Sequence, residues 1–570
     1  MKKTIKLLVL LFFCFTTFVM CKEPNSGIED IPDQPIPETE NLSGDNSLLS
    51  FALLQSINKS ALLADYKPTI TGDTISVFIP YLVNFRLCPT FMVSNGATVS
   101  VGGSKVASDE GVIDFSKPVK LNVIAENGDT HVYTINVYNS GLPVIFIDTE
   151  NQKDITDKET WLDNTSMLVY HSNGVVDYDS DADMVQIRGR GNSTWSATTE
   201  KRPYAIKLNK KSEILGMPQH KRWILLANYY DATFFRNTFA NYLGHKFTNL
   251  DWTPSGEAVE LVLNGVHKGN YYFCEQARMS KTRIPGDYLV EADRKEGSGQ
   301  ITGIKTGNFF NIKDLSADGV DETSPEVVAA VKTVLDTFET VLYSDYFLDT
   351  KWGYKRLVDL ESFVDWFLIK ELSKDYDGNM FTSCYCHIMS DGIIKMGPIW
   401  DFDLAFGGNP FEKLMGGGFG GFGGFGGFGG FGGFGGSTTT THDYAWYNQP
   451  EGYHIAEADW FVQMFKDPEF IALLKQKVNY MVDNISVIMA YIDENTQKLT
   501  LSASANKVGF SSSSNSSFGG FGGFGGFGGF GGFGGTTNTT SKKSYSEEMQ
   551  VIKTFVSERL KWMQTDLSSR

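Results

Sequence analysis

The chain is poor in cysteine, with 6 among its 570 residues. Two of the six stand within and at the end of an apolar N-terminal segment. The other four are scattered along the chain: Cys88, Cys274, Cys384 and Cys386. Four scattered thiols do not make a disulfide framework, and no further Cys or His at ligand spacing completes a zinc site beside the last two. We therefore expect these four to be buried structural residues.

The chain also lacks the positive charge that a nucleic-acid binder needs. Its formal net charge is −17 at pH 7, whereas binding to a phosphate backbone requires a basic surface that displaces counterions. We therefore exclude nucleic acid as a partner. Because the acidic residues are spread along the chain, we interpret them as serving solubility.

Two other kinds of site are missing. The sequence contains no Gly-x-Ser-x-Gly motif, which excludes the nucleophile elbow of an α/β-hydrolase. Residues 177–183 alternate acids like a calcium-binding loop, but Ala182 stands at the sixth position and Arg188 at the twelfth. The bidentate calcium ligand is therefore absent, and we interpret this run as a solvated turn.

The apolar segment from Leu7 to Met20 is too short to cross a membrane, which takes roughly 20 apolar residues. Three lysines precede it, so it predicts a secretory signal. Residues 1–21 resemble a bacterial lipoprotein signal, in which Cys21 is the lipidation site and the first mature residue. Met20 is bulkier than the small residue usual before that cysteine, so cleavage and secretion without a lipid is the alternative.

The resemblance to a lipoprotein signal predicts an exported protein that a lipid anchors to a bacterial membrane, in the periplasm or at the cell surface. Residues 22–45 are rich in Pro, Glu, Asp, Asn and Ser. Such a composition cannot build a core, so it predicts a flexible linker.

Residues 46–140 predict a small β-sandwich. Alternating apolar and polar residues mark short strands at 74–79, 98–101, 119–124 and 130–138. Asn127-Gly128 predicts a hairpin turn between the last two. Several strands at this spacing favour a sandwich, and the segment resembles the immunoglobulin-like modules that act as spacers in bacterial lipoproteins.

Residues 143–570 predict one α+β domain. Strand-like runs occur at 144–147, 184–188, 204–208, 258–263 and 271–275. Asn264-Gly265 predicts a hairpin between the last two of these runs. Helical periodicity occurs at 232–247, 325–344, 360–374, 468–496 and 547–563.

Two Gly-Phe-rich inserts, residues 416–436 and 518–535, interrupt this domain. Gly at two of every three positions makes a regular packed element costly in backbone entropy, which favours flexible loops. In an extended conformation with three residues per turn, the phenylalanines of each insert would instead share one edge. The two inserts could then pair with each other or with a partner.

The run from Ile187 to Trp195 has the pattern of a glycine-rich phosphate-binding turn. Its two glycines permit close approach of a ligand, and the polar side chains supply hydrogen-bond donors. The candidate binding residues are Asn192, Ser193, Thr194 and, on the following strand, Lys207. A hairpin turn with a solvated lysine would have the same pattern.

Two acidic clusters flank a predicted hairpin at residues 385–396. Asp375, Asp377 and Asn379 precede the hairpin, and Asp401 and Asp403 follow it. Because a hairpin brings its ends together, the carboxylates converge and repel each other unless a hard cation lies between them. Magnesium is the usual cation of such a site, and an exposed acidic turn is the alternative.

Four motifs together resemble the CotH family of spore-coat-type atypical kinases. They are Arg188-Gly-Arg-Gly-Asn-Ser-Thr-Trp195, Lys201-Arg-Pro-Tyr-Ala-Ile-Lys207-Leu, the run 221–237 and Trp400-Asp-Phe-Asp403. The resemblance covers residues 143–570 apart from the two inserts. It implies a divergent kinase-like domain that transfers phosphate from ATP, with Mg²⁺, to Ser or Thr of protein substrates.

The resemblance also implies roles for individual residues. Lys207 contacts the nucleotide phosphates, and Glu275 is a candidate for its ion-pair partner. Arg188 and Arg190 are further candidates for phosphate contact, with structural salt bridges as the equal alternative. Asp377 occupies the catalytic-loop position, with Asp375 as a less favoured alternative base. Asp401 holds the metal, supported by Asp403 and Asn379.

Two functional hypotheses follow. The first is an exported, lipid-anchored protein kinase, whose acceptor would be a Ser/Thr-rich protein segment such as the Ser and Thr runs beside the inserts. The second is a cell-surface binding or adhesion lipoprotein that keeps the fold without turnover, because ATP is scarce outside the cytoplasm.

Overall fold

The structure, a computed structural model, describes residues 42–180, 183–197, 199–295, 297, 299–317, 319–376, 378–380, 382–407, 448–506 and 543–570. The predicted signal with Cys21, nearly all of the predicted linker, both Gly-Phe-rich inserts and Asp377 lie outside these residues. Within them, no helix has both the length and the apolar character that crossing a membrane requires.

The N-terminal part consists of short strands. Their bounds are β1 (Leu48–Ala52), β2 (Thr74–Phe78), β3 (Arg86–Leu87), β4 (Thr90–Val93), β5 (Thr98–Val101), β6 (Ser104–Val106), β7 (Ile113–Asp114), β8 (Val119–Ile124) and β9 (Thr130–Tyr138). One five-stranded sheet has the order β2-β9-β8-β5-β6, and the other strands pair as β1-β4 and β3-β7. The four predicted strands correspond to β2, β5, β8 and β9.

The predicted immunoglobulin-like sandwich is not confirmed. Strand β2 joins β9 in parallel, and the remaining strands form two separate pairs instead of a second continuous sheet. Alternation of apolar residues identifies strands and their buried faces, but it does not specify which strands become neighbours. The sheet and the two strand pairs nevertheless share one core, to which Phe51, Leu121 and Ile135 belong.

The second part begins with a closed β-barrel. Its strands are β10 (Val144–Asp148), β11 (Leu162–Tyr170), β12 (Val176–Asp179), β13 (Val185–Gly189), β14 (Tyr204–Ile214), β15 (Met217–Leu226), β16 (Gly256–Leu263) and β17 (Val266–Glu275). The sheet runs β10-β16-β17-β15-β14-β13-β11-β12, and pairing of β10 with β11 closes the ring. Asn264 and Gly265, with φ of 50° and 73°, form the predicted hairpin turn.

Alternation along the barrel strands separates an inner from an outer face. Ile206 and Trp223 lie opposite each other and belong to the core inside the ring. Ala205, Ile224 and Cys274 lie opposite one another on the outer face. This outer face is also buried, because the following half of the domain contacts it.

That half contains a second sheet and most of the helices. The strands are β18 (Tyr288–Ala292), β19 (Ile301–Thr302), β20 (Phe309–Leu315), β21 (Cys384–Ile388) and β22 (Ile394–Met396), in the order β19-β20-β18-β21-β22. The α-helices are α1 (Ser193–Ala197), α2 (Arg236–Phe247), α3 (Pro325–Leu342), α4 (Leu360–Ser373), α5 (Asp459–Met464), α6 (Pro468–Asp483), α7 (Ile485–Ala505) and α8 (Tyr545–Ser569). One large core joins helices α2 to α8 to the second sheet.

α-Helices occur at all five predicted places, but not every predicted boundary is confirmed. The predicted helix at 468–496 is two helices, because Asn484 has φ −106° and ψ 18° and ends α6. The apolar period continues across this break, so periodicity alone does not reveal it. The four described cysteines are buried, as expected.

A buried ion pair connects α4 to α8. Arg559 Nη2 donates to Glu371 Oε1 at 2.5 Å, and Arg559 Nη1 donates to the carbonyl oxygens of Pro450 and Gly452 at 2.6 Å each. Glu371 also accepts the backbone N–H of Ile455 at 2.7 Å. Both charged side chains are fully buried. The pair therefore joins three stretches of chain that the two inserts separate in the sequence.

Replacement of Arg559 by Met should destabilise the domain, because it leaves Glu371 buried without a counter-charge. We expect the free energy of unfolding to fall by about 3–5 kcal/mol, measured by urea denaturation with tryptophan fluorescence. Lys553→Met on the same helix is the control, since its partner Asp493 is 57% exposed and such pairs contribute about 0–1 kcal/mol. Equal losses in the two variants would contradict a structural role for the buried pair.

Candidate functional site

The candidate site lies where the outer face of the barrel meets the loop that contains Trp400. Trp400 packs on Ala205, Ile224 and Cys274, and Tyr385 of β21 packs beside them. Burial raises the pKa of Cys274 to about 12, which keeps this thiol neutral. The contact places the 401–403 acidic segment against the barrel strands that follow the glycine-rich turn.

The glycine-rich turn connects β13 to α1. A Cβ atom on Gly189 would lie 2.6 Å from the carbonyl oxygen of Asp157 and would also overlap the ring of Trp195, so only glycine fits there. Gly191 has φ of 83°, a conformation that favours glycine. Asn192 is exposed and its Oδ1 accepts from Lys295 Nζ at 3.0 Å. The turn is therefore fixed in shape by close contacts of its backbone.

Ser193 and Asp403 both interact with Tyr230, a buried tyrosine that follows β15. Burial raises the pKa of Tyr230 to about 12; the charge of Asp403 adds to the increase, and a hydrogen bond with Ser193 opposes it. The structure therefore brings one residue of the glycine-rich turn and one of the acidic segment to the same phenol.

The two candidate arginines have different surroundings. The Arg190 guanidinium lies 5.9 Å from the centroid of the Trp400 ring, at the interface of barrel and acidic segment. The Arg188 guanidinium lies 4.7 Å from the Trp161 ring, and its Nη1 donates to the carbonyl oxygen of Lys158 at 2.7 Å. Arg190 is thus the one that borders the acidic segment.

Lys207 lies on β14, opposite Gln186 of β13 and Arg222 of β15. By alternation it shares the outer face of the barrel with Ala205, which contacts Trp400. Its side chain is half-buried, and no residue that the structure describes gives it a hydrogen bond or an ion pair. Lys207 is therefore a cation on the outer face of the barrel, and its contact with nucleotide phosphates stays a prediction.

Glu275 does not accompany Lys207. On β17 Glu275 lies opposite Trp223, which faces the inside of the barrel. The side chain of Glu275 therefore faces away from the outer face on which Lys207 lies. Its carboxylate accepts from Arg283 Nε at 3.2 Å and from the backbone N–H of Ser255 at 3.0 Å. The predicted ion pair of Glu275 with Lys207 is wrong, because the strand register places the two side chains on opposite faces.

The acidic segment is held by residues of α2. The backbone N–H of Phe402 donates to Asn237 Oδ1 at 2.9 Å, and Arg236 Nε donates to the carbonyl oxygen of Ala405 at 2.7 Å. Arg236 is itself paired with the fully buried Asp231. Residues of the run 221–237 thus hold the acidic segment in place through hydrogen bonds.

Asp401 occupies a strained backbone position with φ of 66°. Its Oδ2 accepts from Ser383 Oγ at 3.1 Å. The predicted hairpin between the two acidic clusters is confirmed as β21 and β22, so Ser383 and Asp401 stand at its two ends. The strain indicates that the carboxylate is held in place by its surroundings.

Lys370 of α4 joins the two acidic clusters. Its ammonium group is fully buried, pairs with Asp375 and donates to the carbonyl oxygen of Trp400 at 2.6 Å. Burial raises the pKa of Asp375, and the nearby charge of Asp401 adds to this. The structure therefore brings Asp375 and Asp401 together around one lysine.

Two oxygen atoms of the first acidic cluster are of the type that a hard cation binds. Asp375 Oδ1 and Asn379 Oδ1 are buried and have no hydrogen-bond partner among the residues described. Mg²⁺ takes oxygen ligands of this kind. In the described ranges no group of three His, Cys, Asp or Glu is arranged to hold a metal, and Asp377 lies outside them.

Several residues that support this site are missed by reading the sequence alone: Tyr230, Asp231, Arg236, Asn237, Lys370 and Ser383. Lys370 had a usable signal, since it is a lysine within the apolar helix 360–373 and precedes Asp375 by five residues. Ser383 had none, because its contact depends on the pairing of β21 with β22.

Two models of known protein families match parts of the chain. The family model "CotH kinase protein" matches residues 187–563, more than half of the chain. A second model, "SGBP, N-terminal", matches residues 59–137. No curated protein matches the chain.

One solved structure, of a DUF4623 family protein from Bacteroides eggerthii, is similar over 31% of this chain and 60% of that protein's chain. The identity is 14% and the TM-score is 0.13. A likeness at this level carries no argument about fold or function.

Replacement of Asn237 by Leu should loosen the acidic segment, because it leaves the buried N–H of Phe402 without an acceptor. We expect that amide to exchange with deuterium about tenfold faster or more, measured by mass spectrometry of peptides that contain Phe402. Asn241→Leu is the matched control, since Asn241 is also buried on α2 but donates to Tyr272 instead. Similar exchange of Phe402 in both variants would show that Asn237 does not hold the segment.

Proposed function

The chain belongs to the CotH kinase protein family, and on this basis we propose that it is an atypical protein kinase. Residues 143–570 would transfer the γ-phosphate of ATP to Ser or Thr hydroxyls of protein substrates. The acceptor would be a Ser/Thr-rich segment.

The observation that supports this proposal most directly is the position of cations and acids around Trp400. Arg190 lies beside the Trp400 ring, and Lys207 lies on the barrel face that Trp400 covers. Asp401 follows Trp400 and lies near the Lys370–Asp375 pair. Kinases need such an arrangement, because phosphoryl transfer depends on positioning and on neutralisation of phosphate charge.

In this proposal Lys207 and Arg190 bind the phosphate oxygens, and the glycine-rich turn covers them with backbone N–H groups. Mg²⁺, held by Asp401 with Asn379 and Asp403 as supporting candidates, supplies neutralisation of the phosphate charge. Lys370 and Asn237 keep the 401–403 segment in place. Lys370 and Asn237 are therefore positioning residues, since they contact the loop and not the substrate.

The acceptor hydroxyl oxygen forms a bond to the γ-phosphorus while the bond from that phosphorus to the bridging oxygen of ADP breaks. The hydroxyl proton passes to a carboxylate. We assign this carboxylate to Asp377, because Asp375 is fully buried and already paired with Lys370.

The kinase proposal predicts ATP-dependent labelling of a Ser-rich substrate, or of the protein itself, with Mg²⁺ present. Asp377→Ala should lower the rate about 10²–10⁴-fold, the usual contribution of a catalytic base. Asp401→Ala should abolish labelling, because the metal loses its principal ligand. The assay measures transfer of radiolabel from ATP.

Asp391→Ala is the matched control, since Asp391 is exposed at the tip of the hairpin between the two acidic clusters. Full activity of both site variants would refute the residue assignment. Absence of both labelling and ATP binding in the unaltered protein would refute the kinase and leave the binding or adhesion lipoprotein.

We further propose that the protein is exported and anchored to a membrane through a lipid on Cys21, in the periplasm or at the cell surface. Cys21→Ser should move it from the membrane to the soluble fraction, because each buried methylene of an acyl chain contributes about 0.8 kcal/mol. Cys14→Ser, within the apolar segment, should leave it in the membrane fraction. Immunoblots of fractionated cells measure this, and an unchanged distribution of Cys21→Ser contradicts the anchor.

A further inference from the structure

Two arginines, Arg188 and Arg222, lie on the outer face of the barrel beside Trp161. The guanidinium groups of Arg188 and Arg222 lie 4.7 Å and 5.0 Å from the centroid of its ring. Arg278 is close enough to affect Arg222. Burial lowers the pKa of Arg222 to about 10, and repulsion from Arg278 and Arg188 contributes to this decrease.

Two acids nearby neutralise the arginines only in part, and the charge of one of them, Asp314, also acts on Arg222. Asp314 pairs with Arg278 at 3.1 Å and also accepts the backbone N–H of Met279. Glu159 reaches Arg188 only at 4.0 Å and is 89% exposed. The side chain of Arg222 has no hydrogen bond or ion pair with any residue that the structure describes.

Arg188 is also incompletely bonded. Its Nη1 donates to the Lys158 carbonyl oxygen, but its Nε is buried and lacks a partner among the described residues. A buried donor without an acceptor costs about 1–3 kcal/mol. On a chain with a net charge of −17, a group of cations that its neighbouring acids compensate only in part indicates that an anion completes it.

The position of the arginines beside Lys207 also favours a bound anion. Arg222 lies opposite Lys207 on neighbouring strands, on the same outer face, and Lys207 also lacks an acid among the described residues. Guanidinium groups bind phosphate with two parallel hydrogen bonds, and contact with an aromatic ring fixes their orientation beforehand.

We propose that Arg222 and Arg188, held against Trp161, form a phosphate-binding subsite beside Lys207. The subsite rests on the proposed function only for the origin of the phosphate. It belongs either to the nucleotide or to an acceptor that already carries a phosphate group. Recognition of the phosphate is the same chemistry in both cases.

Calorimetric titration of the full chain with inorganic pyrophosphate, without metal, tests the subsite directly. Arg222→Gln should weaken pyrophosphate binding about tenfold or more, the effect of losing a charge-assisted hydrogen bond. Arg222→Lys keeps the charge but lacks the planar guanidinium group. Its affinity for pyrophosphate should lie between those of the unaltered protein and Arg222→Gln. Lys221→Gln is the matched control, because Lys221 is the exposed neighbour on the other side of the strand.

Titrations with ATP and with a phosphoserine peptide distinguish the two sources. Weaker binding of ATP alone by Arg222→Gln assigns the subsite to the nucleotide, and weaker binding of the peptide alone assigns it to the acceptor. Unchanged binding of all three ligands by a folded Arg222→Gln variant overturns the subsite. If that variant does not fold, unchanged binding by Arg222→Lys does so.

These titrations do not depend on turnover. If the unaltered protein labels no substrate but Arg222→Gln still loses pyrophosphate, the kinase proposal fails and the subsite stands. If labelling proceeds and Arg222→Gln binds all three ligands normally, only the subsite fails.

Discussion

The arrangement of the candidate site depends on one buried cation, Lys370. An ammonium group without solvent is strongly disfavoured unless charged and polar oxygens surround it. In this protein the oxygens come from Asp375, which follows α4, and from the Trp400 carbonyl, which follows the β21–β22 hairpin. The loops on both sides of the hairpin are therefore held at one point, and Asp401 is held there with them.

The barrel supplies the opposite wall through strand alternation. Its inner face is an apolar core, so the polar residues of the same strands, including Lys207 and Arg222, lie on the outer face. That face is covered by Trp400 and Tyr385. The barrel thus carries Lys207 and Arg222 on the face that Trp400 covers.

The charge of the whole chain and the charge of the site have opposite signs. The net charge of −17 would repel a phosphorylated ligand at long range, although salt screens such repulsion beyond about 10 Å. Binding would then depend on the local group of Lys207, Arg188, Arg190 and Arg222. Stacking on Trp161 and Trp400 orients three of these four before a ligand arrives.

The sequence by itself determined the local elements and the residue types of the site. The strands of the first part, the turn at Asn264-Gly265 and the hairpin between the acidic clusters follow from alternation and turn chemistry, which act over a few residues. The four motifs likewise identified the family.

The tertiary structure decided which side chains meet. Glu275 bonds Arg283 and faces away from Lys207, because register, and not residue type, sets the face of a strand. The role of Lys370 was also decided there, because a buried lysine is stable only where distant loops bring oxygens to it.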